Sequence, residues 1–116
     1  MLKNFSSKLI AVSIGDIKGI GIQILIEEWK KGNLNNFILI TNYQLFNRYI
    51  LKRKISLKIF KSSLIKNKIT YMPNSFNIFD IKANNNDQNT FNSLIESYKL
   101  VKKKFFMGLV TLPVNK

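Results

Sequence analysis

The sequence predicts an α/β fold, an open and mainly parallel sheet with flanking helices. Two observations carry this. Short runs of branched apolar residues, the length of buried strands, alternate along the chain with stretches of helical period. Three of the five glycines, Gly15, Gly19 and Gly21, crowd the junction between the first such run and the helix that follows it. That is where an open α/β sheet turns from strand to helix.

The first strand is expected over residues 8–14 (KLIAVSI) and a helix over 20–31. In that helix Ile20, Ile24 and Trp29 share a face and Glu27 and Lys31 stand at i, i+4. Lys30 and Lys31 suit the negative end of the helix dipole, and Gly32 is a natural stop. NFILIT (36–41) is the second strand and YQLFNRYILKR (43–53) the second helix, with Leu45, Tyr49 and Lys52 or Arg53 at helical spacing. Strand, helix, strand, helix implies parallel pairing through right-handed crossovers. In the middle of the chain ISLKIF (55–60) alternates as a strand does, and KITYM (68–72) reads as another, ended by Pro73. NSFNIFDI (74–81) reads as a further short strand or an irregular crossing, and the polar tract NNNDQN (84–89) as a loop. A third helix is expected over 90–104, where Phe91, Leu94, Ile95, Tyr98, Val101 and Phe105 recur at steps of three and four. Thr90 or Asn89 caps its start, with Asp87 just ahead, and Lys102, Lys103 and Lys104 crowd its end. FFMGLVT leads into the last strand, over 106–111. Ile20, Trp29, Phe91 and Tyr98 are expected in the core. No repeat or low-complexity linker divides the 116 residues, which make one domain with a modest core.

Composition narrows the chemistry. The chain has no cysteine, so it has no disulfide framework and no thiolate, which fits a reducing cytoplasm. It has no histidine, which removes the commonest general base and metal ligand together. The start of the chain resembles a secretion signal, with Lys3 and Lys8 ahead of LIAV, but the apolar patch is too short and Asp16 interrupts it. No run approaches the roughly 20 apolar residues of a membrane span. A cytoplasmic protein is expected. The net charge of +13 invites a nucleic-acid reading, yet 17 Lys stand against 2 Arg, with 15 Asn and 17 Ile against 2 Ala. That is the drift an AT-rich genome produces, whereas a phosphate-reading face favours arginine. Residues 48–68 hold eight basic side chains and no acid, which keeps a small basic module for RNA or an acidic partner as the alternative reading.

The glycine stretch is not a dinucleotide fingerprint. G-x-G-x-x-G needs glycine where Ile24 stands, and the acidic residue expected after the second strand is replaced by LITNYQ. It is not a phosphate-binding P-loop either, because no Gly-Lys-Ser/Thr follows.

IAVSIGDIKGIGIQI does resemble the opening of the 4-hydroxythreonine-4-phosphate dehydrogenase family, where a strand leads into Gly-Asp-Pro-Ala-Gly-Ile-Gly-Pro-Glu. The match falls on Gly15, Asp16, Gly19, Ile20 and Gly21. GLVTLPVNK is similar to the family's Ala-Leu-Val-Thr-Ala-Pro-Ile-Asn-Lys at Leu109, Val110, Thr111, Pro113, Asn115 and Lys116. The departures are Ile17, Lys18, Ile22 and Gln23 for Pro, Ala, Pro and Glu, and Leu112 for a small residue.

The resemblance implies part of an isopropylmalate dehydrogenase-like fold and an N-terminal segment, residues 1–116, of a longer enzyme cut short. It implies oxidation and decarboxylation of a small phosphorylated hydroxy-amino acid, with NAD or NADP and a divalent metal (Zn, Mg or Co), in a homodimer on the route to pyridoxal phosphate. The family's metal-holding histidines and its substrate-contacting His-Thr pair lie beyond the matched segment, so no catalytic residue and no metal ligand carries over. The positions implied to line the cleft are Gly15, Asp16, Gly19, Gly21, Thr111, Pro113, Asn115 and Lys116. Asp16 either accepts a hydrogen bond from a ligand or caps a helix. Thr111 and Asn115 offer polar contacts at a strand end, Pro113 shapes the loop, and Lys116 either meets an anionic substrate or is solvated. Gly15 and Thr111 are expected side by side at the carboxyl ends of neighbouring strands.

Overall fold

A computed structural model describes residues 8–113. Five strands form one fully parallel sheet: β1 (Ile10–Ser13), β2 (Phe37–Thr41), β3 (Ile59–Ser62), β6 (Phe76–Asp80) and β7 (Gly108–Thr111), in the order β3-β6-β2-β1-β7. A two-stranded antiparallel hairpin, β4 (Leu64–Ile65) with β5 (Lys68–Ile69), stands apart from it. Lys66 and Asn67 both take positive φ at its tip, as a tight two-residue hairpin turn requires. Three helices complete the fold: α1 (Ile20–Lys30), α2 (Tyr43–Lys52) and α3 (Asn86–Lys102). Among the described residues no helix is long and apolar enough to cross a membrane.

The sheet separates two cores. On one side α1 and α2 bring Ile22, Leu25, Ile26, Phe46, Tyr49 and Ile50 against Val12, Leu39, Phe76 and Ile78. Phe76 is the hub, meeting Trp29 and Phe37 edge-on at 5.4 and 5.6 Å and stacking on Phe46 at 5.7 Å. On the other side Leu9, Ala11, Ile38, Ile40, Tyr71, Ile81, Leu100 and Phe106 pack together. Every residue of β2 is buried, as its central place and unbroken apolar run demand.

Several sequence expectations are corrected. The third helix starts at Asn86, inside the tract read as a loop, because Asn85 caps it by accepting from Gln88 N–H at 2.9 Å. Neither Thr90 nor Asn89 is the cap. KITYM forms only the short β5, and NSFNIFDI contains the regular β6, with no irregular crossing in its place. Helix α1 turns Ile22, Leu25 and Ile26 inward and leaves Ile20 66% exposed.

The larger correction concerns which face of α3 is buried. Its inner positions are Asn89, Ser93, Ser97 and Leu100, while Phe91 and Tyr98 are 64% and 59% exposed and Leu94 and Ile95 also face outward. Small polar residues let the helix come close enough for its side chains to bond the sheet backbone. Ser93 Oγ accepts from Ile14 N–H at 2.9 Å and donates to the Ile40 carbonyl. Asn89 accepts from Asn42 N–H at 2.8 Å and donates to Thr41 Oγ1 at 2.9 Å.

Met107, just before the edge strand β7, and Val110 within it are exposed as well. Such a surface favours association. The double variant Phe91→Gln/Tyr98→Gln is expected to hold its stability within about 0.5 kcal/mol, because both rings are mostly exposed. Its self-association by sedimentation velocity is expected to fall.

Tyr49 supplies a pH-dependent test. Its hydroxyl is buried and has no hydrogen-bond partner. Burial pushes its ionisation above the usual tyrosine range and the nearby Glu27 adds to this, while Arg53 opposes both. The folded chain therefore holds this proton more tightly than the unfolded one. The contribution is fully present below the unfolded pKa of about 10 and is lost as pH rises beyond it. Tyr49→Phe removes an unsatisfied group and is expected to gain up to about 1 kcal/mol at pH 8. Urea midpoints at pH 8 and pH 10.5 check this, with the alkaline fall shallower in the variant.

Candidate functional site

The carboxyl ends of β1 and β7 lie side by side, with Ser13 paired to Thr111. Beyond that rung the two segments stay bonded. Leu112 N–H donates to the Ser13 carbonyl at 3.1 Å, and Asp16 N–H donates to the Pro113 carbonyl at 3.0 Å. Between them the chain turns at Gly15, whose φ of +62° lies in the left-handed region. A Cβ there would stand 2.5 Å from the Leu112 carbonyl oxygen and 2.6 Å from that of Pro113. At Gly21, in the first turn of α1, a Cβ would stand 2.6 Å from Pro113 Cδ. The glycines are crowded by the chain's own distal strand end.

Asp16 organises the rest of the turn. Its Oδ1 accepts from Lys18 N–H at 3.0 Å and its carbonyl accepts from Gly19 N–H at 3.0 Å. It does not cap α1, whose N-cap is Gly19 with no side-chain bond. A Cβ on Gly19 would press on the Asp16 carbonyl oxygen at 3.2 Å.

Across from this turn the first turns of α3 form a second wall, tied to it by the Thr90 hydroxyl, which donates to the Gly15 carbonyl at 2.5 Å. The walls enclose an open cleft of about 760 Å³ lined by Ser13, Gly15, Asp16, Asn86, Asp87, Thr90, Phe91, Leu94, Thr111, Leu112 and Pro113. Gly15, Asp16, Thr111 and Pro113 thus meet in one cleft. Gly19 and Gly21 lie behind it, shaping the turn and the start of α1. Asn115 and Lys116 lie outside the described residues.

Sequence reasoning missed Asn86 and Asp87 as cleft residues because the helix was expected to begin later, and Thr90 and Leu94 because they were read as a cap and as part of the helix's apolar face. The available signal was the spacing Asn85-x-x-Gln88. Asn85 caps Gln88 N–H while Gln88 Oε1 accepts from Asn84 N–H at 2.9 Å, a near relative of the capping box.

The described lining offers two carboxylates, three hydroxyls and one amide, and no cation. These residues do not fit a divalent metal. Among the described residues no three His, Cys, Asp or Glu side chains come together, and two carboxylates are too few for an oxygen cage. They do not cradle a pyrophosphate either, since the space beside Gly15 and Gly21 is taken by Leu112 and Pro113. What the cleft can do is order a small polar molecule by hydrogen bonds to the hydroxyls of Thr111 and Ser13, with Thr90 Oγ1, whose proton goes to the Gly15 carbonyl, left as an acceptor, and hold a cationic or amino group near Asp16 and Asp87. Comparison with protein-family models, curated proteins and solved structures found no match for this chain.

Proposed function

We propose that this chain forms one wall of the active-site cleft of a 4-hydroxythreonine-4-phosphate dehydrogenase. The observation that supports the reading is the interlock of the two segments that carry the resemblance. Gly15 and Gly21 need their small size because Leu112 and Pro113, more than ninety positions away, lie against them.

In this reading the substrate is a small phosphorylated hydroxy-amino acid, oxidised at its alcohol and then decarboxylated. The resemblance implies NAD or NADP, which would supply a hydride acceptor, and a divalent metal, which would supply polarisation of the oxygen. Neither group is held by the cleft residues described here, and the chain has no histidine to supply the family's metal ligands. The part left to this chain is positional. The hydroxyls of Thr90 and Thr111 orient polar groups of the substrate, and the carboxylates of Asp16 and Asp87 attract its ammonium group. The reading extends to a cytoplasmic homodimer whose remaining residues complete the site.

Two measurements test it. The 116-residue chain, supplied with 4-phosphohydroxythreonine, NAD and magnesium or zinc, is expected to reduce no NAD above blank. Metal-dependent turnover would contradict the assignment of the chemistry to other residues. The coding frame past the Lys116 codon is expected to run on into a Gly-His-Thr-Glu-like segment, and an immediate stop would count against the whole reading.

A further inference from the structure

On the far side of the Asp16–Lys18 turn lies a second hollow, of about 450 Å³, which the proposed reaction does not use. It is lined by Ile17 and Lys18 from the turn, Leu45, Arg48, Tyr49, Lys52 and Arg53 from α2 and the residue after it, and Asn84, Asn85 and Asn86 at the start of α3. We propose that this hollow binds a small organic phosphate, a phosphate or diphosphate ester with a flat, apolar remainder.

The charge is the first argument. Four cations line the hollow and no carboxylate does. The side-chain ion pairs among the described residues are Lys31 with Glu28 and Lys99 with Glu96, so none of the four is neutralised. Arg48 and Lys52 stand at i, i+4, where like charges repel. An anion between them relieves that repulsion. Glu27 on α1, whose charge acts on Tyr49, is not part of the lining.

The residue type is the second argument. The chain has 17 lysines and 2 arginines, and both arginines line this one hollow. In a sequence whose basic residues have drifted to lysine, the two planar forks that bind phosphate by paired hydrogen bonds occur together.

The floor is the third argument. Ile17, Leu45 and the ring of Tyr49 form an apolar floor beneath the cations, which an inorganic ion alone would leave unused. The Arg53 guanidinium sits 5.1 Å from the Tyr49 ring centre, so charge is held directly above an apolar surface. Lys18 is aimed from a turn whose backbone Asp16 pins. The volume lies in the range of small-ligand pockets.

The experiment titrates the ¹⁵N-labelled 116-residue chain with AMP, inorganic pyrophosphate and adenosine. Saturable shifts are expected at Lys18, Arg48, Arg53 and Asn84–Asn86 with AMP and pyrophosphate, AMP binding the more tightly, and weaker shifts with adenosine. The exposed double variant Arg48→Gln/Arg53→Gln, checked for an unchanged circular dichroism spectrum, is expected to weaken AMP binding at least about tenfold. Lys99→Gln/Lys103→Gln, at the end of α3 and just past it, is expected to leave it unchanged. The proposal is overturned by shifts spread over lysines everywhere, by equal loss in both double variants, or by no saturable binding of AMP and pyrophosphate. Binding confined to long RNA, with a steep salt dependence, would overturn it in favour of an extended nucleic-acid face.

Discussion

Gly15→Ala is expected to destabilise the chain by about 3 kcal/mol, the sum of left-handed strain of about 1–2 kcal/mol and steric overlap of similar size. The overlap is with backbone atoms, the carbonyl oxygens of Leu112 and Pro113 at 2.5 and 2.6 Å, which cannot rotate away as a side chain would. For a chain of this size the melting temperature should fall by roughly 12 °C. Gly32→Ala is the matched control. Gly32 also has positive φ, at +80°, but nothing lies within 4 Å of its absent Cβ. It should lose about 1 kcal/mol, close to 4 °C. The difference between the two variants measures how tightly the distal strand end presses on the turn.

Ser93→Ala is expected to be as damaging, for a different reason. The Ser93 hydroxyl stands between Ile14 N–H and the Ile40 carbonyl, continuing the β1–β2 pairing one step past the rung of Ser13 and Ile40. Removing it strands a donor and an acceptor in a site with no solvent access. Each stranded group costs about 1–3 kcal/mol, so a loss of roughly 3 kcal/mol is expected in urea unfolding. Ser97, one turn further along the same face, is equally buried, but its hydroxyl has no partner. Ser97→Ala should therefore be neutral or stabilising by up to about 1 kcal/mol. If both serines cost the same, bridging of the two strands is not what holds α3 in place.

The two serines also explain how far the fold was legible in the sequence. The apolar runs behind β1 and β2 are unambiguous because a central parallel strand is buried on both faces and has no need of polar residues. Helix α2 lies where its period puts it, but of the residues read at helical spacing only Leu45 and Tyr49 are buried, Lys52 and Arg53 are exposed, and Phe46 and Ile50 complete the inner face. In α3 the same logic misleads. The stripe of Phe91, Leu94, Ile95 and Tyr98 has the right period for a core face, yet the helix buries Asn89, Ser93 and Ser97 because they satisfy strand-end backbone that water cannot reach. Period identifies the helix, and hydrogen-bond demand decides which side faces in.

The cleft was half legible. The glycine turn and the end of the chain stood out as motifs, but no local pattern reveals that Gly15 and Gly21 are small to admit Leu112 and Pro113, since that contact spans the length of the domain. The wall from α3 was hidden because Asn86 and Asp87 read as loop residues until Asn85 is recognised as the cap. The basic hollow was hidden for a similar reason. Lys18 and Arg48 are thirty residues apart in sequence and meet only when α2 packs beside the turn.

The contact between the glycine turn and the distal strand end holds the cleft together, and one measurement reaches it directly. In the ¹³C,¹⁵N-labelled chain, nuclear Overhauser contacts are expected between the α protons of Gly21 and the δ protons of Pro113, because a Cβ on Gly21 would lie only 2.6 Å from Pro113 Cδ. A matching contact is expected between Gly15 and Leu112. Absence of both in a spectrum that shows the β1–β2 contacts of Val12 with Leu39 would mean that the two segments do not meet, and the cleft with its functional reading would fall together.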